Sequence, residues 1–531
     1  MKNLKYTGMV IFLIGLAIFT TIPFLGNVKM TNAIMAETLT EQEYANLGPA
    51  LEQTLVDKEF STTFGFSRTF IGEFNKINDE LKASEQWDKV MWTPPGDIAL
   101  KLSQASSTAS LVNQNKLLFF FLTFGLGIFG ALLYIIQDLK LKGPPGIKND
   151  GIYHDSATNR GWIGILTAVW LISFYVLLYF HPYAIADMIG ITDPIKGIFM
   201  EGEKASKWFL YGLLYTITML VMGTRMLIKY RHNKYQIVRT ITVVLFQVVF
   251  AFLLVEILPT FGLPGKDLKN AWPLDYYFLF DWNVNDLMDS GHFGKFLFIW
   301  GFVLSLIIVP VMVYFYGKRW YCSWVCGCGG LAETLGDPYR HLSNKKMWTW
   351  KLERWLIYSV LVFAIIMTVF TGYHTYNEVM NPDMESKEIL FGFSAFDIRN
   401  LYGFLIGSIF AGVIGTGFYP ILGSRSWCRF GCPLAAYMGI VQRFKSRFRI
   451  TTNGGQCISC GNCSTYCEQG IDVRAYAQKG QNIVRSSCVG CGVCSAVCPR
   501  GVLKLENGPE AGRFGNEGPI VLGNDGFKLN Q

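Results

Sequence analysis

Cysteine is absent from the first 321 of the 531 residues, and charge is scarce throughout: Asp, Glu, Lys and Arg make up 16%, against roughly 25% in an average soluble domain. The first absence moves the thiol chemistry into the last 210 residues, where all thirteen cysteines lie between Cys322 and Cys498. The second, with 51% hydrophobic residues, excludes a disordered chain and argues against a wholly soluble enzyme. Histidine is sparse too, with six in all and no evident set for haem. At about 150 residues per domain, the length allows three or four units.

What is present is apolar and periodic. Eight stretches, at about 7–26, 117–137, 161–180, 208–228, 239–258, 296–316, 355–372 and 401–422, are mostly apolar and near the ~20 residues that cross a bilayer. The fold class expected is an all-α polytopic membrane domain followed by a small α+β ferredoxin. With the N-terminus inside, the inner loops 138–160, 225–239 and 317–354 carry 16 basic residues and the outer loops 181–207, 259–295 and 373–399 carry 8. That asymmetry puts both termini in the cytoplasm. The outer segment 27–116 holds 12 acidic and 8 basic residues. Residues 31–36 make a poor cleavage site because Ile34 stands where a small residue is wanted, so 1–26 reads as an uncleaved anchor. The expected organisation is anchor 1–26, outer segment 27–116, seven-helix membrane domain 117–450, ferredoxin 451–506 and flexible tail 507–531.

Segment 27–116 shows helical spacing over 41–56 and 67–83, broken by Trp92-Thr93-Pro94-Pro95-Gly96. It has neither Cys nor His. It reads equally as a cap that supports the membrane domain and as a docking surface for a periplasmic partner.

The strongest motif is Cys457-x2-Cys460-x2-Cys463-x3-Cys467, repeated as Cys488-x2-Cys491-x2-Cys494-x3-Cys498-Pro499. Three thiolates at two-residue gaps wrap one [4Fe–4S] cubane, and the fourth reaches the other cluster. Cluster one is therefore Cys457, Cys460, Cys463 and Cys498, and cluster two is Cys488, Cys491, Cys494 and Cys467. Gly461, Gly490 and Gly492 allow the tight turns. Zinc sites want a longer spacer between CxxC pairs, and disulfides do not suit the cytoplasm. Glu468 follows Cys467 where the second run has proline.

Five cysteines remain. Arg319-Trp320-Tyr321-Cys322-x3-Cys326 and Arg425-Ser426-Trp427-Cys428-x3-Cys432-Pro433 are 106 residues apart and share the pattern Arg-x-aromatic-Cys-x3-Cys, each just after a span. This is an internal repeat. On a helix, positions i and i+4 share a face, so two facing pairs make a four-thiol site at the inner membrane edge. Such a site suits a further Fe–S cluster, a copper or zinc ion, or a redox-active dithiol. Buried structural thiols are the plain alternative. Cys328 has no counterpart, since Leu434 stands there; it is a fifth metal-ligand candidate.

Weaker signals follow. Polar groups in spans are costly and tend to be functional, which makes Glu256 and Gln247 quinone-site candidates, with Arg225 read first as interfacial. His181, His292 and His374 fall at outer helix ends. The aromatic run Trp272 to Trp282 reads as an interfacial belt. Arg443, Lys445, Arg447 and Arg449, interleaved with Phe444 and Phe448, read as a lipid headgroup anchor and not as a nucleic-acid site.

The two cysteine motifs, the spans and the C-terminal ferredoxin together resemble the NosR/NapH family of membrane-bound polyferredoxins, with CcoG-type proteins as more distant relatives. Cys322, Cys326, Cys428, Cys432 and Pro433 match the family's paired CxxxCP motifs; Gly327 and the added Cys328 depart from it. The resemblance covers about residues 296–500. Segment 27–116 is too short for the flavin domain of the NosR type, and 507–531 is too short for the immunoglobulin-like domain of the CcoG type. The resemblance implies an iron–sulfur electron-transfer protein of the bacterial inner membrane. It would work between the quinol pool or cytoplasmic donors and a periplasmic reductase of nitrous-oxide or nitrate type, directly or with other membrane subunits. The alternative is a copper reductase or assembly factor for a periplasmic or membrane oxidoreductase, and a third reading is a redox-sensing scaffold. A route for electrons to the outer face is missing from this picture.

Overall fold

The computed structural model describes residues 2–143, 145–146, 152–153, 155–317, 319–380, 394–444, 446–453, 456–507, 521–523 and 526–528. Among these, eight helices are long and apolar enough to cross a membrane: Lys2–Phe24, Lys116–Lys142, Trp162–Phe180, Lys207–Lys229, Lys234–Phe261, Gly291–Tyr316, Met347–Asn377 and Ala395–Gly417. They coincide with the eight apolar stretches to within a few residues at most ends; the seventh starts eight residues earlier than its stretch and the eighth ends five residues short of 422. The expected fold class is what the structure has, and among the described residues the strands form three two-stranded ladders.

The chain divides into two compact units, Met1–Leu141 with Ser173–Ile217, and Lys142–Ile172 with Thr218–Gln531. In the first, the segment after the anchor is helical as its periodicity predicts. The helices include Glu41–Thr54, opened by a Thr40/Glu43 capping box, and Thr63–Ala83, capped by Thr62. A third, Pro95–Ser106, starts at the predicted break because proline is tolerated in a first turn. Their apolar faces bury Leu47, Leu51, Phe66, Phe70, Phe74 and Leu102 in one core. The first apolar helix docks on the second through glycine. A Cβ on Gly8 would lie 2.6 Å from the Tyr134 nitrogen, and one on Gly130 would lie 2.4 Å from the Phe12 nitrogen. Small residues let helix backbones approach closely in lipid, where dispersion and not the hydrophobic effect holds helices together. Lys5 pairs with Asp138 at 2.6 Å beside this contact.

The second unit holds the cysteines. Its core joins the sixth, seventh and eighth spans around Val309, Val313, Ala364, Met367 and Ile406, together with Cys322, Cys326, Cys428 and Cys432. The ferredoxin is closed by an antiparallel ladder, Phe448–Thr452 with Leu503–Asn507, in register from Phe448↔Asn507 to Thr452↔Leu503. In the tail, expected to be flexible, Val521–Gly523 pairs with Gly526–Lys528.

The glycine contact is testable. Gly130→Leu should destabilise the first unit by about 1–3 kcal/mol, the usual cost of overpacking, whereas Gly72→Leu, where nothing lies within 4 Å of the new Cβ, should leave it unchanged. Thermal unfolding of the detergent-solubilised protein compares the two.

Candidate redox site

The two membrane-edge motifs come together, but not on continuous helices. Trp320–Trp324 ends before Val325, and a new helix, Gly327–Thr334, begins after Cys326. In the second motif a wide turn, Trp427–Gly431, breaks before Cys432, and Pro433 starts the next helix. The expected i, i+4 face is therefore replaced by a turn in each motif. In the second motif the cause is Pro433, which has no N–H to continue a helix and is tolerated in a first turn. Gly329 lets the second helix of the first motif run against the Cys322 carbonyl, 1.9 Å from where its Cβ would be. Cys322, Cys326, Cys428 and Cys432 are each buried in one core cluster, and Cys328 packs at its edge. Burial and mutual repulsion push the Cys322 thiol well up. Cys326 goes the other way, to about 6, held down by the Cys328 thiol, by backbone N–H groups of Gly329 and Cys328, and by the Lys269 charge.

In the ferredoxin, Cys463 lies near Cys460, Cys498 and Cys457, Cys467 lies near Cys488, and Cys494 lies near Cys491, Cys488, Cys467 and Cys463. A cavity is lined by Cys457, Cys460, Cys463 and Cys498. Gly461, Gly490 and Gly492 all have positive φ. Among the described residues His181, His292 and His374 belong to no group of three His, Cys, Asp or Glu that could hold a metal ion. His181 bonds Tyr183 at 2.8 Å, His374 packs edge-on against Phe396, and His292 is exposed.

Around the four thiols runs a buried ion network that sequence reading missed. Glu333 takes charge contacts from Arg239, Arg340 and Arg425. Asp337 takes them from Arg225, Lys229 and Arg340. Glu468 pairs with Arg340 and Arg425, both at 2.9 Å. Arg425 also donates to the Cys322 carbonyl at 3.2 Å and lies 3.9 Å from the Cys428 sulfur. A second group centres on Glu353, which faces Arg319 and Arg429 and accepts the Ser487 hydroxyl at 2.5 Å. Arg319 in turn donates to the Cys428 carbonyl at 2.6 Å. Cations hold the Glu333 and Asp337 carboxyls well below the usual range despite burial. Arg225 is thus an ion-pair partner and not an interfacial anchor.

This network seats the Cys467 and Cys488 loops of the ferredoxin against the membrane-spanning part of the same unit. Glu468 is covalently next to Cys467; the Gln236 amide donates to the Cys491 carbonyl and the Tyr235 hydroxyl to the Gly490 carbonyl. Val489 belongs to the same core as the four thiols. Cys460 of cluster one is exposed.

The aromatic run is another correction. Trp272 does not lie in an interfacial belt. Its backbone N–H donates to the Ser305 hydroxyl at 2.8 Å and its indole to Thr368 at 2.9 Å. Ser305 is 14 residues into the Gly291–Tyr316 span, about 21 Å at 1.5 Å per residue. The Tyr321 hydroxyl donates to the Lys269 carbonyl. The loop after the fifth span therefore re-enters the unit from the side opposite the cysteines and reaches them. It carries the Lys269–Asp267 pair and Asp275, one of whose carboxylate oxygens is buried with no hydrogen-bond partner.

The quinone candidates do not form one site: Gln247 is buried and Glu256 half-buried, and nine residues separate them by roughly 13 Å along a helix. In the basic linker, Arg449 is buried in the ferredoxin ladder and Arg447 stacks on Tyr314, so neither is a free headgroup anchor. Lys445 and the side chains of Arg443 and Phe444 lie outside the described residues. The missed carboxylates left one signal: Glu333, Asp337 and Glu353 stand in a basic inner loop, and Glu468 replaces proline.

Together these features define a chain with eight candidate membrane spans and cysteine motifs of the 4Fe–4S type. A 4Fe-4S dicluster domain model matches residues 449–499, and a 4Fe-4S binding domain model matches twice, at 298–346 and 402–451, once over each membrane-edge motif. Relatives include the electron-transport protein YccM of Escherichia coli (strain K12), 26% identical over 32% of this chain and 47% of its own. The methylamine utilization ferredoxin-type protein MauN of Methylobacillus flagellatus is 26% identical over 32% of this chain and 54% of its own. The ferredoxin-type protein NapH of Escherichia coli is 23% identical over the same shares. These relatives and both domain models support the NapH-type polyferredoxin family. The match spans about half the length of each of these relatives. No solved structure matches significantly.

Removing one partner of a buried pair costs about 3–5 kcal/mol. Glu468→Gln should therefore loosen the cluster-two loop, read as faster hydrogen exchange over 487–491, while Glu506→Gln, whose Lys504 partner is exposed, should change nothing there.

Proposed function

We propose that this chain carries single electrons between the quinol pool and the far ends of an inner-membrane redox system, through a four-thiol site and two ferredoxin clusters. The observation that carries it is the Cys428···Arg425···Glu468–Cys467 connection, which puts the membrane-edge thiols and the cluster-two ligands on one buried ionic bridge. Cys457, Cys460, Cys463 and Cys498 would hold one [4Fe–4S] cluster, Cys488, Cys491, Cys494 and Cys467 a second, and Cys322, Cys326, Cys428 and Cys432 a third. Bound clusters supply one-electron redox chemistry. The protein's residues do the rest. Arg425 and Arg319 place cationic donors on the Cys322 and Cys428 carbonyls, and apolar packing excludes water around the thiols.

In this reading quinol meets the chain from the outer side, at the re-entrant loop. Asp275 is a better proton acceptor than Glu256 or Gln247, because its unpartnered oxygen lies among Tyr276, Tyr277 and the Lys266–Asp267 charges. The terminal partner is a periplasmic reductase of nitrate or nitrous-oxide type, with both termini cytoplasmic. Closeness of Cys328 to Cys326 favours a second reading, copper reduction or delivery at the five thiols.

Stopped-flow mixing of the anaerobic protein in lipid nanodiscs with a short-chain quinol tests the main reading. Quinol should bleach the visible absorbance, and Asp275→Asn should slow it by about 100-fold, the lower range for loss of a general base, with Glu256→Gln close to wild type. No bleaching by quinol would refute it.

A further inference from the structure

The ferredoxin has one end seated on the membrane domain and one end open. Cluster two is buried by the contacts of Glu468, Gly490, Cys491 and Ser487. The cluster-one cysteines instead line a cavity that opens to solvent, rimmed by Ile458, Arg474 and Arg500. Cys460 is exposed, Ile458 is 54% exposed, and both arginines are exposed.

The rim is built and its charge has one sign. Arg474 sits in the first turn of Val473–Gln478, whose Gln478 amide donates to the Ser459 hydroxyl in the loop between Cys457 and Cys460. Asp472, the nearest acid in sequence, is used up as helix cap and as acceptor of the Ser464 hydroxyl. Among the described residues neither Arg474 nor Arg500 has an ion-pair partner. Of the other charges on this domain, Lys479 and Lys504 are exposed, Glu506 faces Lys504 at 4.0 Å, and Glu468 is buried in the network. An exposed apolar residue ringed by unpaired cations beside an open redox site is the complement of an acidic protein surface with its own cofactor near the edge.

We infer that this mouth docks a soluble, acidic, low-potential one-electron carrier of ferredoxin or flavodoxin type, on the ferredoxin's side of the membrane. The inference rests on the electron-transfer reading above. One electron leaves the reduced carrier, which is oxidised by one equivalent, and is taken up at the Cys457/Cys460/Cys463/Cys498 site, which is reduced by one. No bond forms or breaks and no proton moves. An anionic lipid surface is the competing occupant of two arginines. The end seated on the membrane domain is that of Cys467 and Cys491, not this mouth.

The test uses the full chain, anaerobically purified in zwitterionic nanodiscs, with an acidic flavodoxin as probe. Binding of the oxidised probe is measured first, because it needs no electron flow. Affinity should fall at least tenfold between about 20 and 200 mM NaCl, as the Debye length shortens through about 10 Å at 0.1 M, and at least tenfold in Arg474→Glu/Arg500→Glu. Arg474→Lys/Arg500→Lys should keep most of it. Iron content and visible spectrum should match in all three proteins, which excludes a folding defect. Binding insensitive to salt and to charge reversal would overturn the docking site. So would a reversal that weakens binding to anionic-lipid vesicles alone. Bleaching by the reduced flavodoxin is then scored separately: binding without bleaching would leave the docking face standing and count against the electron-transfer reading.

Discussion

The constraint on which the second unit depends is that a charge taken out of water must be matched by another. Beside the four membrane-edge thiols, the carboxylates of Glu333, Asp337, Glu353 and Glu468 face seven cations: Arg225, Lys229, Arg239, Arg319, Arg340, Arg425 and Arg429. The surplus is positive, and it sits between two sets of thiols. Deprotonated thiols carrying an iron–sulfur cluster supply negative charge, so in the proposed reading loading both sets would match the network. The same cations fix geometry. Arg425 touches both cysteine motifs and the residue after Cys467, so the position of the ferredoxin and the shape of the membrane-edge site are set by one guanidinium. Its planar fork suits that role better than a lysine.

Much of this was legible from residue order. The spacing of Cys457 to Cys498 announces a dicluster ferredoxin, and the 106-residue repeat marks the two membrane-edge motifs that one core brings together. Both follow from local chemistry, since a cubane dictates its own ligand spacing. The eight spans follow from hydropathy alone. Three things were hidden for physical reasons. Lys and Arg in inner loops report topology only when they face headgroups, and Arg225, Lys229, Arg239, Arg319 and Arg340 are instead engaged in buried pairs. Trp272 looks interfacial in sequence because an aromatic belt and an aromatic re-entrant loop have one composition; only its bonds to Ser305 and Thr368 separate them. Glu468 looked like a minor variation on proline, and its partners lie 43 and more than 120 residues away.

The re-entrant loop changes the problem of the missing transmembrane route. The distance to be crossed is not the full hydrocarbon thickness, because Lys269 already touches Tyr321 beside the thiols. A loop of irregular backbone is tolerated at that depth only where protein buries it, and Ala271 and Phe280 are core residues here. The loop thus brings Lys269 up to Tyr321 beside the thiols, as Glu468 brings the Cys467 loop up to Arg425.

The central claim is that those four thiols hold an iron–sulfur cluster whose charge the buried cations match. Iron counted per chain in anaerobically purified protein tests it most directly. The account predicts about twelve irons, falling to about eight in Cys322→Ser/Cys428→Ser. A wild-type content near eight that the double variant leaves unchanged would contradict it.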